Sequence, residues 1–125
     1  MEDIHNEPGR TKLPRRIEKP WGYELLWALT PKYAGKVLFV KKGHRLSLQY
    51  HRKKQESIYI YSGKVHLEIE SPDGQMTLLL LEPGRCFDIS AMTKHRIEGL
   101  EDTTLFEVST AELDDVVRVA DDYGR

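Results

Sequence analysis

Residues 43–63 read GHRLSLQYHRKKQESIYIYSG and contain two strand-length segments joined by a short polar stretch. Side chains alternate between the two faces of a β-strand, so Ser47, Gln49 and His51 should project to one face of the first segment. Glu56 begins the second segment. If the two segments form adjacent antiparallel strands, Gln49, His51 and Glu56 converge on one point.

A second histidine follows a turn much later in the chain, at His95. Two imidazoles, one carboxylate and one amide oxygen form a suitable shell for a divalent metal, with positions left for water or substrate. The joint spacing of these residues therefore predicts one metal site, with the ligands Gln49, His51, Glu56 and His95.

Short apolar segments separated by turn residues continue along most of the chain. Examples lie at residues 37–41, 65–69, 77–81, 86–89 and 104–108, with Gly, Pro and Asp between them. Such spacing is typical of an all-β sandwich or a small barrel. After these segments, residues 111–119 are predicted to form one short C-terminal helix capped by Thr110.

Length and composition exclude several classes of protein. The 125 residues suffice for one domain, which we place at residues 19–125, after a flexible N-terminal arm at residues 1–18. The formal net charge of -1 gives no electrostatic reason to expect nucleic acid or a membrane as a partner. The single cysteine excludes an intrachain disulfide, and the polar N-terminus lacks a signal peptide, so we expect a cytoplasmic protein.

The polar residues of the first strand pair resemble the first motif of the cupin family, G-x5-H-x-H-x3-4-E-x6-G. The matching positions are Gly43, Gln49, His51, Glu56 and Gly63, with glutamine in place of the first histidine. The resemblance implies a cupin double-stranded β-helix, a jelly-roll barrel, over residues 19–125.

The second cupin motif, G-x5-P-x-G-x2-H-x3-N, is matched by Gly84 and His95 at the expected intervals. Ser90, Met92 and Gly99 stand where the motif has proline, glycine and asparagine. These departures affect turn positions and leave the metal ligand in place.

Three segments resemble phosphomannose isomerases more narrowly. Residues 46–51 (LSLQYH) resemble the segment that supplies glutamine and histidine ligands in those enzymes. Residues 19–23 (KPWGY) and 113–125 resemble the beginning and end of the cupin region of the type II enzymes, in which a nucleotidyltransferase domain precedes the cupin. The resemblance implies one divalent metal, with zinc as the first choice and Mn, Fe, Co or Ni as alternatives.

The same resemblance implies residues that act on the substrate. Lys54 lies two residues before the glutamate ligand and Arg118 lies in the closing segment, where those isomerases have cations. The general base stays open between Glu107, Lys54 and a metal-bound water. Further candidates for contact with substrate are Ser47, Trp21, Tyr23 and Arg125.

The function implied is metal-dependent aldose–ketose isomerisation of a sugar phosphate, with the metal as a Lewis acid. Two alternatives remain: a non-catalytic cupin that binds a sugar or sugar phosphate, and a metal-dependent cupin oxygenase, which the amide ligand disfavours. A barrel this small leaves strand edges near its N-terminal segment, so a homodimer that pairs these edges is expected.

Overall fold

A computed structural model describes residues 11–125 of the chain. The described residues form eleven strands: β1 (Arg15–Lys19), β2 (Gly22–Leu29), β3 (Ala34–Val40), β4 (Leu48–Tyr50), β5 (Glu56–Ser62), β6 (Val65–Glu70), β7 (Met76–Leu81), β8 (Cys86–Ile89), β9 (His95–Gly99), β10 (Thr103–Ser109) and β11 (Val117–Ala120). They make a six-stranded sheet in the order β1-β2-β3-β10-β5-β8 and a five-stranded sheet in the order β11-β4-β9-β6-β7. Every pairing is antiparallel, and the predicted all-β fold class is confirmed.

The two sheets enclose one main hydrophobic core. On β6, Val65, Leu67 and Ile69 are buried while the residues between them are half-exposed, which is the alternation of a strand with one face inward. Leu105 on β10 and Ile60 on β5 are completely buried in the same cluster. Apolar side chains thus fill most of the interior, and most of the buried charged side chains are gathered in one region, described below.

The predicted C-terminal helix is wrong, because residues 111–116 form turns and residues 117–120 form strand β11. β11 pairs with β4, so its backbone groups are satisfied by a sheet ladder. Val117 and Val119 are β-branched and favour a strand, and the tertiary pairing outweighs the helical tendency of the preceding Ala-Glu-Leu segment. Among residues 11–125 there is no helical segment with the length and hydropathy of a membrane span.

The predicted N-terminal arm falls partly outside the described residues, which begin at residue 11. Within the described part, β1 starts at Arg15 and pairs along its whole length with β2, so that Arg15 lies opposite Leu26 and Lys19 opposite Gly22. Residues 15–18 are therefore part of the six-stranded sheet.

The β5–β6 hairpin depends on a glycine. Gly63 has a φ of 90°, a region that disfavours residues with a Cβ atom. A Cβ built at this position would lie 2.4 Å from Thr103 Oγ1 and 2.5 Å from the carbonyl oxygen of Asp102. The hairpin can therefore turn against β10 only with glycine here.

We expect Gly63→Ala to destabilise the barrel more than Gly74→Ala, the matched control. Gly74 has a φ of 84° but nothing within 4 Å of a built Cβ, so its substitution carries the backbone cost alone, about 1–2 kcal/mol. The clash at Gly63 should add about 1–3 kcal/mol in urea denaturation. Equal losses of stability in the two variants would contradict this account of the hairpin.

Candidate metal centre

Three buried side chains meet at one end of the barrel, where β4, β5 and β9 approach one another. His51 follows β4 directly, Glu56 begins β5 and His95 begins β9. Their ligand atoms all lie within 4.8 Å of one another. Glu56 Oε1 lies 3.2 Å from His51 Nε2 and 3.0 Å from His95 Nε2. This His51–Glu56–His95 triad could hold a metal ion.

Backbone carbonyls fix the orientation of both imidazoles. His51 Nδ1 lies 2.5 Å from the carbonyl oxygen of Asp115, and His95 Nδ1 lies 2.9 Å from that of Thr93. A carbonyl only accepts, so each Nδ1 donates a hydrogen bond to the backbone, and Nε2 is the ring atom that faces Glu56 and would bind a metal. The two Nε2 atoms point to the same carboxylate oxygen, and this donor set suits zinc and similar divalent ions.

The carboxylate of Glu56 is kept ionised within the triad. Burial acts to raise the pKa of Glu56, but hydrogen bonds from His51 and His95 and the charge of Lys54 outweigh burial and hold the pKa well below its usual range. An ionised carboxylate is the form that binds a metal.

Gln49 lies beside the triad in the five-stranded sheet. It is directly opposite His95 on β9 and Arg118 on β11, and opposed residues of antiparallel strands share a face. Arg118, Gln49 and His95 therefore form a row across three strands. Ser47 Oγ donates a 2.6 Å hydrogen bond to Gln49 Oε1, which keeps a second lone pair available.

Lys54 and Glu107 form a buried ion pair next to the triad. Lys54 Nζ lies 3.3 Å from Glu107 Oε2 and 3.5 Å from Glu56 Oε2. Burial acts to lower the pKa of Lys54, but the charges of Glu107 and Glu56 outweigh burial and raise it. Burial and the charge of Glu56 raise the pKa of Glu107 to about 8. Lys54 is thus a cation shared by two carboxylates.

One cavity of about 330 Å³ lies beside the triad, and His51 is the triad member that lines it. Glu56 and His95 lie behind His51, in contact through the Glu56 carboxylate. Most of the predicted site residues line the cavity. They come from strands of both sheets and from the segments that connect or follow the strands: Trp21, Gln49, His51, Lys54, Glu107, Arg118 and Arg125. The fold therefore brings together chemistry that is scattered from residue 21 to residue 125.

Two predicted substrate contacts lie elsewhere. Tyr23 stacks on Phe39 with the rings 5.2 Å apart, and the Arg16 guanidinium lies 3.9 Å from the centre of its ring. Its neighbour Glu24 faces the cavity, so strand alternation directs Tyr23 to the opposite face. Ser47 is buried and bonds to Gln49.

Sequence reasoning missed an important support of the triad, Asp115. Its carboxylate accepts hydrogen bonds from the backbone N–H groups of Arg52, Lys53 and Lys54, at 2.7–3.0 Å. These bonds lower the pKa of Asp115 to about 2. Asp115 therefore fixes the loop between β4 and β5 with its carboxylate and His51 with its carbonyl. No local pattern in the sequence reveals contacts over such a separation.

The cavity wall also contains three charged residues that the sequence did not single out, Lys19, Glu24 and Lys36. The strand pattern contained a signal for Glu24. It lies two residues before the buried Leu26 on β2 and therefore shares the inward face of that strand. A carboxylate at an inward position of an otherwise apolar strand face calls for a partner, which Lys36 supplies.

Solved structures share this fold at low sequence identity. KdgF from Halomonas sp. superposes with a TM-score of 0.71 and 20% identity, covering 80% of this chain and 90% of that chain. An oxalate decarboxylase from Bacillus subtilis gives a TM-score of 0.72 and 15% identity, covering 91% of this chain and 34% of that chain. The class of the barrel is thus the cupin double-stranded β-helix, as predicted.

The sequence comparisons specify a family within that class. The family described as mannose-6-phosphate isomerase C-terminal matches residues 6–121, and the chain belongs to it. The xanthan biosynthesis protein XanB of Xanthomonas campestris pv. campestris is 32% identical over 116 residues, which are 89% of this chain and 24% of that protein. A mannose-1-phosphate guanylyltransferase of Escherichia coli (strain K12) is 33% identical over 118 residues, which are 91% of this chain and 24% of that protein. The chain spans about a quarter of the length of these curated relatives.

We expect His51→Ala and His95→Ala each to lose most of the bound divalent metal, since each removes one of the two converging Nε2 atoms. His66→Ala is the matched control, because His66 lies on the outer face of β6, 3.8 Å from Glu98. Elemental analysis after dialysis measures the metal content. Metal retained by the two site variants at the wild-type level would refute the assignment.

Gln49→Leu tests the fourth ligand separately. The substitution keeps the size of the side chain but removes the amide oxygen, so we expect zinc affinity to fall by at least about tenfold while the fold is retained. Competition with a chromogenic chelator measures the affinity. Unchanged affinity would restrict the metal shell to His51, Glu56 and His95.

Proposed function

We propose that this chain is a metal-dependent sugar-phosphate aldose–ketose isomerase, similar in chemistry to mannose-6-phosphate isomerases. One observation supports the proposal most strongly: His51 of the metal-binding triad, the buried Lys54–Glu107 pair and the cation Arg118 all line one cavity. Membership of the mannose-6-phosphate isomerase C-terminal family supports the same chemistry.

Zinc is the ion that we propose for the centre, held by Gln49, His51, Glu56 and His95. When bound, a divalent ion supplies a Lewis acid for the neighbouring carbonyl and hydroxyl oxygens of a sugar. The ligands come from three strands and one loop, so the barrel determines where those two oxygens would lie.

Glu107 is the residue that we assign to proton transfer. Isomerisation removes a proton from one carbon next to the carbonyl and returns it to the neighbouring carbon, so one group must accept and then release it. Lys54 donates to Glu107 and Glu56 and is therefore occupied as a cation. Of the two carboxyl groups that Lys54 contacts, Glu107 is the one that is not a proposed metal ligand, and contacts with Lys54 and Glu56 hold it in place.

Arg118 is placed to stabilise negative charge that develops on the substrate oxygens. It lies next to Gln49 in the row across β11, β4 and β9, with its side chain on the cavity wall. A planar guanidinium can offer two parallel N–H donors to such oxygens, which lysine cannot reproduce.

A second candidate is a binding module that holds a sugar phosphate without converting it. The match covers only 24% of each of the two relatives, so the activity of those whole proteins is not implied for this chain. The same cavity and the same cations would serve this function.

We expect zinc-loaded protein to interconvert mannose 6-phosphate and fructose 6-phosphate, and protein stripped by a chelator to do neither. Arg118→Ala should reduce kcat by about 100-fold or more, because it removes the cation that stabilises negative charge developing on the substrate oxygens. Metal content and melting temperature should stay near wild type. Arg118→Lys should recover little of the activity. A coupled spectrophotometric assay measures turnover.

Arg85→Ala serves as the control, because Arg85 is exposed in the turn between β7 and β8 and does not line the cavity. If fully metal-loaded protein binds the sugar phosphate, with a raised melting temperature, but never converts it, the binding module replaces the isomerase.

We also propose that the protein forms a homodimer and is located in the cytoplasm. β1 and β8 are the edge strands of the six-stranded sheet, and pairing β1 with a second copy would satisfy its open backbone groups. Light scattering at micromolar concentration distinguishes a dimer from a monomer.

A further inference from the structure

The cavity contains a charged group that the isomerase mechanism does not use, formed by Lys19, Glu24 and Lys36. Glu24 is 8% exposed and lies between the two lysines. Its Oε2 atom is 3.0 Å from Lys36 Nζ, and its Oε1 atom is 3.8 Å from Lys19 Nζ. Both lysine side chains are largely buried, with exposed fractions of 26% for Lys19 and 12% for Lys36.

This lysine pair is separated from the metal-binding triad by the Lys54–Glu107 pair. Lys54 contacts Glu56 of the triad and Glu107, and Lys36 on β3 is directly opposite Glu107 on β10. Lysine and glutamate side chains therefore alternate along the wall from the triad to the lysine pair. The cavity has a metal-binding end and a cationic end.

The cavity lining as a whole has more positive than negative charge. Arg118 and Arg125 line the same cavity. The pKa of Lys19 is lowered chiefly by burial and further by the positive charges of Lys36, Arg125 and Arg118. Arg125 pairs with Asp121 at 3.1 Å, and Glu24 is shared by the two lysines. Over the whole cavity lining, five cations face three carboxyl groups, and this excess of cations suits a phosphate group: Lys19, Lys36, Lys54, Arg118 and Arg125 against Glu24, Glu107 and Asp114.

We propose that Lys19 and Lys36, oriented by Glu24, bind the phosphate group of a phosphorylated sugar whose reacting carbons lie at the triad. The position of the sugar rests on the proposed function. Each ammonium group has three N–H donors, and its contact with Glu24 occupies one of them, so donors remain for phosphate oxygens. Glu24 holds the two lysines at the cavity wall and keeps them apart, as a positioning residue.

Isothermal titration of the zinc-loaded full chain with inorganic phosphate, mannose 6-phosphate and mannose tests the proposal. Lys19→Met and Lys36→Met should each weaken the binding of phosphate and of the sugar phosphate by about 10–100-fold, the loss typical of hydrogen bonds to a charged group. The affinity for unphosphorylated mannose and the metal content should not change. Lys64→Met is the matched control, because Lys64 is half-exposed and lies 3.9 Å from Glu101, outside the cavity.

Lys36→Met leaves Glu24 with one partner and could impair folding, so the double variant Glu24→Gln/Lys36→Met removes both charges together. It should keep a melting temperature close to wild type and still lose phosphate affinity. If the lysine variants and the double variant bind phosphate and mannose 6-phosphate as tightly as wild type, the ion pair is only structural and the proposal is overturned.

The outcomes for the two proposals are separable, since phosphate binding is measured without turnover. Lysine-dependent phosphate binding without any isomerisation overturns the isomerase and supports the phosphate subsite. Isomerisation together with phosphate binding that does not depend on the two lysines supports the isomerase and overturns the phosphate subsite.

Discussion

The shared carboxylate oxygen of Glu56 is the interaction on which the rest of the site depends. A buried carboxylate costs several kcal/mol unless opposite charge or hydrogen-bond donors surround it. His51, His95 and Lys54 all converge on Glu56, and Glu107 in turn is held by Lys54. Polar groups are tolerated in this part of the barrel because each one compensates another.

Compensation of this kind explains why the charged residues occur as a connected series. Lys36 and Glu24 pair at 3.0 Å on neighbouring strands, where an isolated lysine or glutamate would be strongly disfavoured. None of the buried polar side-chain atoms among the described residues lacks a hydrogen-bond partner. The interior thus combines an apolar core with a polar cavity whose charged groups are paired and whose lining contains more cations than carboxyl groups.

The sequence predicts the barrel, His51 and Glu56 from short-range regularities, and His95 from its match to the second cupin motif. Strand-length segments with turn residues between them indicate the sheets, and the spacing of Gln49, His51 and Glu56 places them on two adjacent strands. The contribution of Asp115 could not be predicted, since its bonds to residues 52–54 join segments about sixty positions apart. Strand β11 was missed for a similar reason: its pairing with β4 overrides a local helical tendency.

The register of β11 against β4 has a consequence for how this site can change during evolution. Arg118 lies opposite Gln49, and the register shifts between Arg118 and Ala120. Strand side chains alternate, so the insertion or deletion of one residue in the connecting segment 111–116 would turn Arg118 away from the cavity. The length of that segment should therefore be inherited more strictly than most of its amino acids. Related proteins could exchange residues of that segment other than Asp115, while a one-residue change in its length would separate metal binding from recognition of the substrate.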